Sequence, residues 1–412
     1  MLRQYLDLPR AVHILCLGMF INRAGSFLIP FLTIYLTRRL GLDATVATAV
    51  IGAYGLGSIL GVLVGGQLAD QFGRRIVMLA SLFGAAVIIL LFSRLTTPLA
   101  IMVAAFTLAM VSDSYRPAAS AMVADLVAPH QRSLAFGLMY VAINLGFAVA
   151  PVIGGILSEY SFLLLFVGDA ATCTAYGLIL LFFIRETLNV RAAAMTHLSQ
   201  QAGSTTAEQG RQETVSLKQA VRSILSDRIF LIFCVATLFM AVVFMQSIST
   251  LPLHLSERGF SPRTYGWIIA INGALITCLQ LPFTHVLNRF DRSRVITLAA
   301  LVMGGGFGLT ALAVRPWHFA ATVVVWTVGE MMHAPYMQAI VSDLAPPALR
   351  ARYMGVFSLS FGTAMMIGAP LGGQVLARYG AGVWMAAMGL GVISAVMYWM
   401  LRRRITAPSL PR

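Results

Sequence analysis

Charge is scarce in this sequence. Of 412 residues only 15 are acidic, and charged residues of both signs make up 11% of the chain. A soluble globular domain carries about 25%, and a disordered segment usually more. Cysteine is also rare. Cys16, Cys173, Cys234 and Cys278 each lie inside an apolar run, without metal-ligand spacing, so no metal site is expected. There is no phosphate-binding loop and no nucleophile–base pair, which argues against an enzyme, a cofactor and ATP as an energy source.

What the chain has instead is apolar length. Hydrophobic residues make up 58% and the mean hydropathy is +0.83. The net charge of +14 comes from arginines that sit between the apolar runs and not on one amphipathic face. That is the pattern of a membrane protein and not of a nucleic-acid binder.

Twelve apolar segments can be marked, near 11–36, 44–69, 76–93, 98–124, 134–157, 162–184, 229–253, 264–286, 295–314, 317–343, 353–377 and 382–401. Each is long enough to cross a bilayer as a helix. The connections are short except for 185–228, which holds the polar, turn-prone run 199–206. The expected organisation is an all-α membrane protein of twelve transmembrane helices: a six-helix bundle at 1–184, a linker at 185–228, and a second bundle at 229–412. Within the linker Leu217, Val221, Ile224 and Leu225 follow helical spacing and predict a short amphipathic helix at the membrane surface.

Twenty Lys and Arg fall in the N-terminus, the even-to-odd loops, the linker and the C-terminus, against seven on the other side. Both termini and the linker are therefore expected to be cytoplasmic.

The two halves repeat. Tyr115–Arg132 parallels His333–Arg350, aligning Pro117 with Pro335, Asp125 with Asp343 and Arg132 with Arg350. Gly137 aligns with Gly355 and Gly154-Gly155 with Gly372-Gly373, all at an offset of 218 residues. Two related six-helix halves are a transporter architecture.

The turn between the second and third segments reads Gly66-Gln-Leu-Ala-Asp70-Gln-Phe-Gly73-Arg74-Arg75. Glycine suits a tight connection, Asp70 can accept from a helix N-terminus, and Arg74 can reach a carboxylate. Asp125 is the candidate partner. Gly66, Asp70, Gly73, Arg74, Arg75, Asp125 and Arg132 are read as gate residues, with Asp343 and Arg350 as their counterparts in the second half.

With this turn, twelve segments and a 6+6 repeat, the chain resembles the major facilitator superfamily over its whole length. The second-half turn, His285-Val-Leu-Asn288-Arg289-Phe-Asp291-Arg292, is degenerate. The fifth segment carries Gly137, Gly146, Pro151, Gly154 and Gly155, similar to the glycine-proline motif of the antiporter branch, with Ala150 where that motif has glycine. Ordinary small-residue packing is the alternative reading of this stripe.

Ionisable residues inside spans are costly and usually face a cavity or a partner. Arg23 lies in the first segment, Asp113 and Arg116 in the fourth, and Glu330 and His333 in the tenth. The resemblance places the first, fourth, seventh and tenth helices around the central cavity. It makes Asn22, Arg23, Arg116, Gln246 and Asn272 candidates for the substrate cavity, and Glu330, Asp113 and His333 candidates for proton coupling. Asp113–Arg116 reads equally as a static ion pair, and His333 as a ring held by a backbone carbonyl. Asp169 reads as a peripheral capping or packing carboxylate.

Drug:proton antiporters often have an acidic residue in the first helix, where Asn22-Arg23 stands here. The position of Arg116 is similar to the basic residue of peptide:proton symporters, whose acidic first-helix motif is absent. The expectation is a proton-coupled, alternating-access exporter of amphipathic small molecules, monomeric, in a bacterial inner membrane among its lipids. The alternatives are a lipid or glycolipid flippase, and an uptake symporter for a nutrient or peptide.

Overall fold

The computed structural model describes residues 7–128, 131–187, 217–287, 289–346 and 349–405. Among them there is no β-strand. The long helices are α1 (Arg10–Ala24, then Leu28–Ile34 and a π turn Tyr35–Arg39), α2 (Ala44–Phe72), α3 (Arg74–Phe92), α4 (Pro98–Asp113 and Tyr115–Leu126), α5 (Arg132–Tyr160) and α6 (Phe162–Phe183). They continue with α7 (Arg228–Ser249 and Leu251–Glu257), α8 (Pro262–Leu287), α9 (Arg292–Leu309), α10 (Pro316–Leu344), α11 (Arg350–Thr363, a π turn Ala364–Gly368, then Ala369–Tyr379) and α12 (Gly382–Met400).

Eleven of these, counted among the described residues, are long and apolar enough to cross a membrane. The remaining one, α10, has 29 residues, and Glu330, His333 and Gln338 lower its hydropathy. Of the linker, 188–216 lie outside the described residues, as does Asn288 in the α8–α9 turn. A short helix, Leu217–Ser226, ends the linker; Ile224 is buried while Val221 and Leu225 are exposed.

The chain divides into two compact units, Met1–Arg211 with Phe260–Gly273, and Gln212–Gly259 with Ala274–Arg412. The first part of α8 thus groups with the first unit.

Helix starts follow local chemistry. The Ser161 hydroxyl caps α6 by accepting from Leu163 N–H at 3.2 Å. Asp227 caps α7 through Phe230 N–H at 3.0 Å, and Asp291 caps α9 through Arg294 N–H at 3.0 Å. Pro98 and Pro316 stand in the first turns of α4 and α10, where their missing N–H costs nothing.

Helix interruptions follow proline. A proline removes one N–H and crowds the carbonyl four residues earlier. Pro30, Pro117, Pro252 and Pro370 each follow an interruption: Gly25–Phe27 in α1, Ser114 in α4, Thr250 in α7 and the π turn of α11. Pro335 leaves α10 unbroken. Its missing bond orphans the Met331 carbonyl, and Gln280 Nε2 of α8 donates to that oxygen at 3.1 Å.

In lipid, helices associate by close packing and not by hiding apolar surface from water. In the first unit Gly57, Gly61 and Gly65 of α2 form the stripe that does this. A Cβ at each would come within 2.1–2.5 Å of α4 backbone at Phe106, Met110 and Ser114. In the second unit Gly304 of α9 and Gly391 of α12 face each other, a Cβ on Gly304 meeting Gly391 Cα at 2.8 Å. Beside them Phe307 stacks on Trp326 at 5.1 Å and on Trp384 at 6.3 Å between ring centroids.

Candidate functional site

The α2–α3 turn is built around one buried arginine. Gly73 has φ +106°, a conformation that disfavours side chains, and it lets the chain reverse so that α3 begins at once. Arg74 is 2% exposed. Its Nε lies 3.4 Å from Asp125 Oδ2 of α4, and its Nη2 donates to Asp70 Oδ1 at 3.3 Å. The Asp125 side chain is 8% exposed and that of Asp70 is 76%. Asp125 is therefore the buried counterion and Asp70 an outer one.

A third carboxylate completes the cluster and was missed by sequence reasoning. Glu186, just beyond α6, accepts from Arg74 N–H and Arg75 N–H, each at 3.0 Å. It thereby caps α3 from 112 residues away. A Cβ on Gly73 would meet Glu186 Oε2 at 2.5 Å, so this glycine serves both the turn and the cap. Thr187 Oγ1 donates to Asp125 Oδ2 at 3.3 Å, and Arg75 Nη2 donates to the Leu181 carbonyl. Gly66 is not a close-approach residue: a Cβ there would meet only Pro117, at an ordinary 3.8 Å. Arg132 is exposed at the start of α5.

The second unit has the counterpart. Asp343 pairs with Arg292, Nη1 to Oδ2 2.6 Å, while Arg350 Nε donates to the Ser342 carbonyl at 3.1 Å. Arg292 and Asp343 are offset by 218 from Arg74 and Asp125. The degenerate turn thus keeps the arginine and loses the acidic residue equivalent to Asp70.

In the span interior, Arg116 Nε lies 2.9 Å from Asp113 Oδ1. Asp113 is 3% exposed and also accepts from the Ser58 hydroxyl of α2. The Arg116 side chain is 57% exposed, so the pair is buried at its acidic end only. Arg23 extends over the Phe147 ring, 5.5 Å from its centroid. Asn22 Nδ2 donates to Cys173 Sγ at 3.2 Å.

Asn22, Arg23, Asp113 and Asp169 border one cavity of about 60 Å³ with a mixed polar and apolar lining inside the first unit. Asp169 is not peripheral: it is 6% exposed and accepts from Leu28 N–H at 3.1 Å. It thus caps the second piece of α1.

Two expected site residues point elsewhere. Gln246 is 3% exposed and donates to the carbonyls of Val242 at 2.9 Å and Gly368 at 3.0 Å. It thereby supports the π turn of α11. His333 is 8% exposed, with Nε2 3.0 Å from Tyr398 Oη. That hydroxyl is also 3.0 Å from Thr237 Oγ1, so the ring belongs to an α7–α10–α12 contact. Glu330 is half-buried on α10, and Asn272 is half-buried on the part of α8 grouped with the first unit.

Gly146, Pro151, Gly154 and Gly155 of α5 are contact residues, and Gly137 is half-buried near the start of the helix. A Cβ on Gly146 would meet Arg23 Cβ at 2.5 Å, and one on Gly154 the Phe31 ring at 2.7 Å. On the side facing α8, Gly155 would meet Arg263 Cα at 3.0 Å, and a Cβ on Gly266 would meet the Pro151 carbonyl at 2.2 Å. Helix α5 is thus fitted against α1 on one side and α8 on the other.

A polytopic helical protein with duplicated halves, paired charges at corresponding turns and ionisable groups inside spans is a membrane transporter and not an enzyme. The family model described as Major Facilitator Superfamily matches residues 15–261 and 239–412, and the chain belongs to that superfamily. It is 28% identical over 418 residues to a Na(+), Li(+), K(+)/H(+) antiporter of Planococcus maritimus, covering 96% of each chain. It is 21% identical to the multidrug resistance protein MdtH of Salmonella paratyphi B, covering 92% of this chain and 87% of that one. Among solved structures, a POT family transporter in complex with 5-aminolevulinic acid matches with TM-score 0.76 and 16% identity over 97% of each chain. A D-xylose-proton symporter matches with TM-score 0.73 and 14% identity, covering 94% and 96%. These two matches concern the fold alone.

Proposed function

We propose that the protein is a proton-coupled antiporter that exports an amphipathic small molecule by alternating access, with both termini and the linker in the cytoplasm. The observation that carries this reading is α5. Its glycines bring it against α1 and α8 so closely that added side chains would overlap backbone or ring atoms. Such a helix can slide or rock as a rigid body but cannot admit a leak between itself and its neighbours. The relatives named as an antiporter and as a multidrug resistance protein support the same reading.

In this reading Arg74, Asp125, Asp70 and Glu186 hold the α2–α3 turn in one gate state and release it in the other, with Arg292–Asp343 acting alike in the second unit. Arg23, Asn22 and Arg116 meet the substrate. Glu330 and Asp113 are the carboxylates of the proton path, Glu330 being the proposed coupling group. A second reading, export of Na⁺ or K⁺ in exchange for protons, draws on the antiporter relative.

The test is transport in proteoliposomes with an imposed pH gradient. The probes are ethidium as a cationic amphiphile, Nile red as a neutral one, fluorescein as an anion, and sodium and potassium chloride. Export is expected to draw protons inward for one class of probe. Proton flux driven by the salts alone would favour the cation reading. A protein indifferent to the pH gradient with every probe would leave the flippase or uniporter reading in its place.

A further inference from the structure

We propose that Asp169 is a proton-binding site that controls the break in α1, a second proton group that deepens the antiporter reading above.

The break is real in sequence terms. Gly25 weakens the helix, and Pro30 removes the bond that Ser26 would receive. The second piece of α1, Leu28–Ile34 running on through Tyr35–Arg39, therefore begins inside the span with an unsatisfied N–H at Leu28. In hydrocarbon that group needs an acceptor. Asp169 provides it from α6, 141 residues away in sequence, at 3.1 Å. The other capping side chains described here, at Ser161, Asp227, Asp291 and Glu186, all stand at helix ends. Asp169 stands within the span.

The repeat shows that the fold does not require this arrangement. At the 218 offset Asp169 corresponds to Ala387, and the break at Gly25–Phe27 to Val243–Met245, which lie inside the uninterrupted stretch Arg228–Ser249. A carboxylate in the membrane interior is costly. The first half keeps one where the second half manages with a methyl group.

There is room for water beside it. The cavity next to Asp169 has a volume of about 60 Å³, space for a few waters at the ~10–15 Å³ that each needs by this measure. The groups facing Asp169 are Arg23 from α1 and Cys173 from α6, whose Sγ is 3.8 Å from Oδ1. Across the cavity stand Tyr54 of α2, Asp113 and Tyr115 of α4, and Ser81 of α3, which does not titrate.

The step is a simple exchange. As a carboxylate, Asp169 holds Leu28 N–H and the break is pinned. When a proton arrives through the cavity waters on Oδ1 or Oδ2, the acid keeps one acceptor oxygen but loses the charge that strengthened the bond. The two pieces of α1 can then change their angle, carrying Asn22 and Arg23 with them. Loss of the proton to water restores the pin.

The test needs no substrate, so it can fail independently of the export reading. Infrared difference spectra of the purified full-length protein in nanodiscs are recorded as the pH is raised. The wild type is expected to lose a protonated-carboxyl C=O band. Asp169→Asn, which keeps an acceptor for Leu28, is expected to lack that band, and Asp113→Asn to retain it. If Asp169→Asn does not fold, Cys173→Ala serves instead: it removes the neighbour of Oδ1 and is expected to shift the band. A band unchanged in Asp169→Asn or, where that variant does not fold, in Cys173→Ala, or one lost in Asp113→Asn, overturns the assignment. So does the absence of any titrating carboxyl band.

Discussion

Arg292 reaches Asp343 at 2.6 Å, and 218 residues earlier in the chain Arg74 reaches Asp125 at 3.4 Å. The two units thus place an arginine after the second and eighth helices against a carboxylate near the end of the fourth and tenth. Their surroundings differ. The side chains of Arg74 and Asp125 are 3% and 8% exposed, those of Arg292 and Asp343 14% and 56%.

That difference sets an order of cost. Asp125→Asn leaves a buried arginine charge without its inner partner and is expected to destabilise the protein by about 3 kcal/mol. Asp343→Asn alters a carboxylate that is itself 56% exposed, and Arg292 keeps its bond to the Ile405 carbonyl, so it should cost under about 1 kcal/mol. Thermal unfolding in one detergent compares them. Equal losses, or a larger one for Asp343→Asn, would show that burial does not govern these pairs.

Asp70 should behave differently from Asp125. Its side chain is 76% exposed, so Asp70→Asn is expected to leave the melting temperature nearly unchanged. If the turn is a gate, gradient-driven transport should still fall about tenfold, equivalent to about 1.4 kcal/mol, with probe affinity retained. A variant that binds poorly but turns over normally would contradict the gate.

Helix α5 offers a test of fit. Gly146→Leu and Gly154→Leu would drive side chains into Arg23 and Phe31 and are expected to abolish transport. Ala150→Gly, at a buried position, should be tolerated. Full transport by both leucine variants would mean that α5 and α1 do not approach as described.

Gln280 and Pro335 should be coupled. Gln280→Leu strips the Met331 carbonyl of its donor, a loss of roughly 1–3 kcal/mol. Pro335→Ala supplies a backbone N–H for the same oxygen. The double variant should therefore be less destabilised than the sum of the two single ones. Strict additivity in unfolding measurements would argue against the shared acceptor.

For coupling, Glu330→Gln is expected to abolish accumulation against a gradient while preserving probe binding and passive exchange. Accumulation with unchanged pH dependence would remove Glu330 from the proton path.

The spans were legible in the sequence because hydropathy and length decide what crosses a bilayer. The repeat and the Arg74–Asp125 pair were legible because a constant offset and a short motif survive without knowledge of helix rotation. Rotation itself was not. Lipid is as apolar as the interior of a helix bundle, so an apolar face does not distinguish one side from the other. For that reason Gln246 and His333, placed correctly in their spans, were expected in a cavity and instead hold α11 and α12. Glu186 escaped notice, and Asp169 was read as peripheral, because each caps a helix more than a hundred residues away, and no local spacing announces such a bond.

The support that Gln280 gives to α10 has a consequence for how a duplicated gene diverges. Pro117 and Pro335 descend from one ancestral position, yet α4 is interrupted at Ser114 while α10 runs through as one rod. In the second copy the carbonyl left without its partner is served from another helix by Gln280; the equivalent position in the first copy is Val62. The bond that an inherited proline removes can thus be made good by one side chain elsewhere. A single codon could stiffen one half of the machine and leave the other hinged.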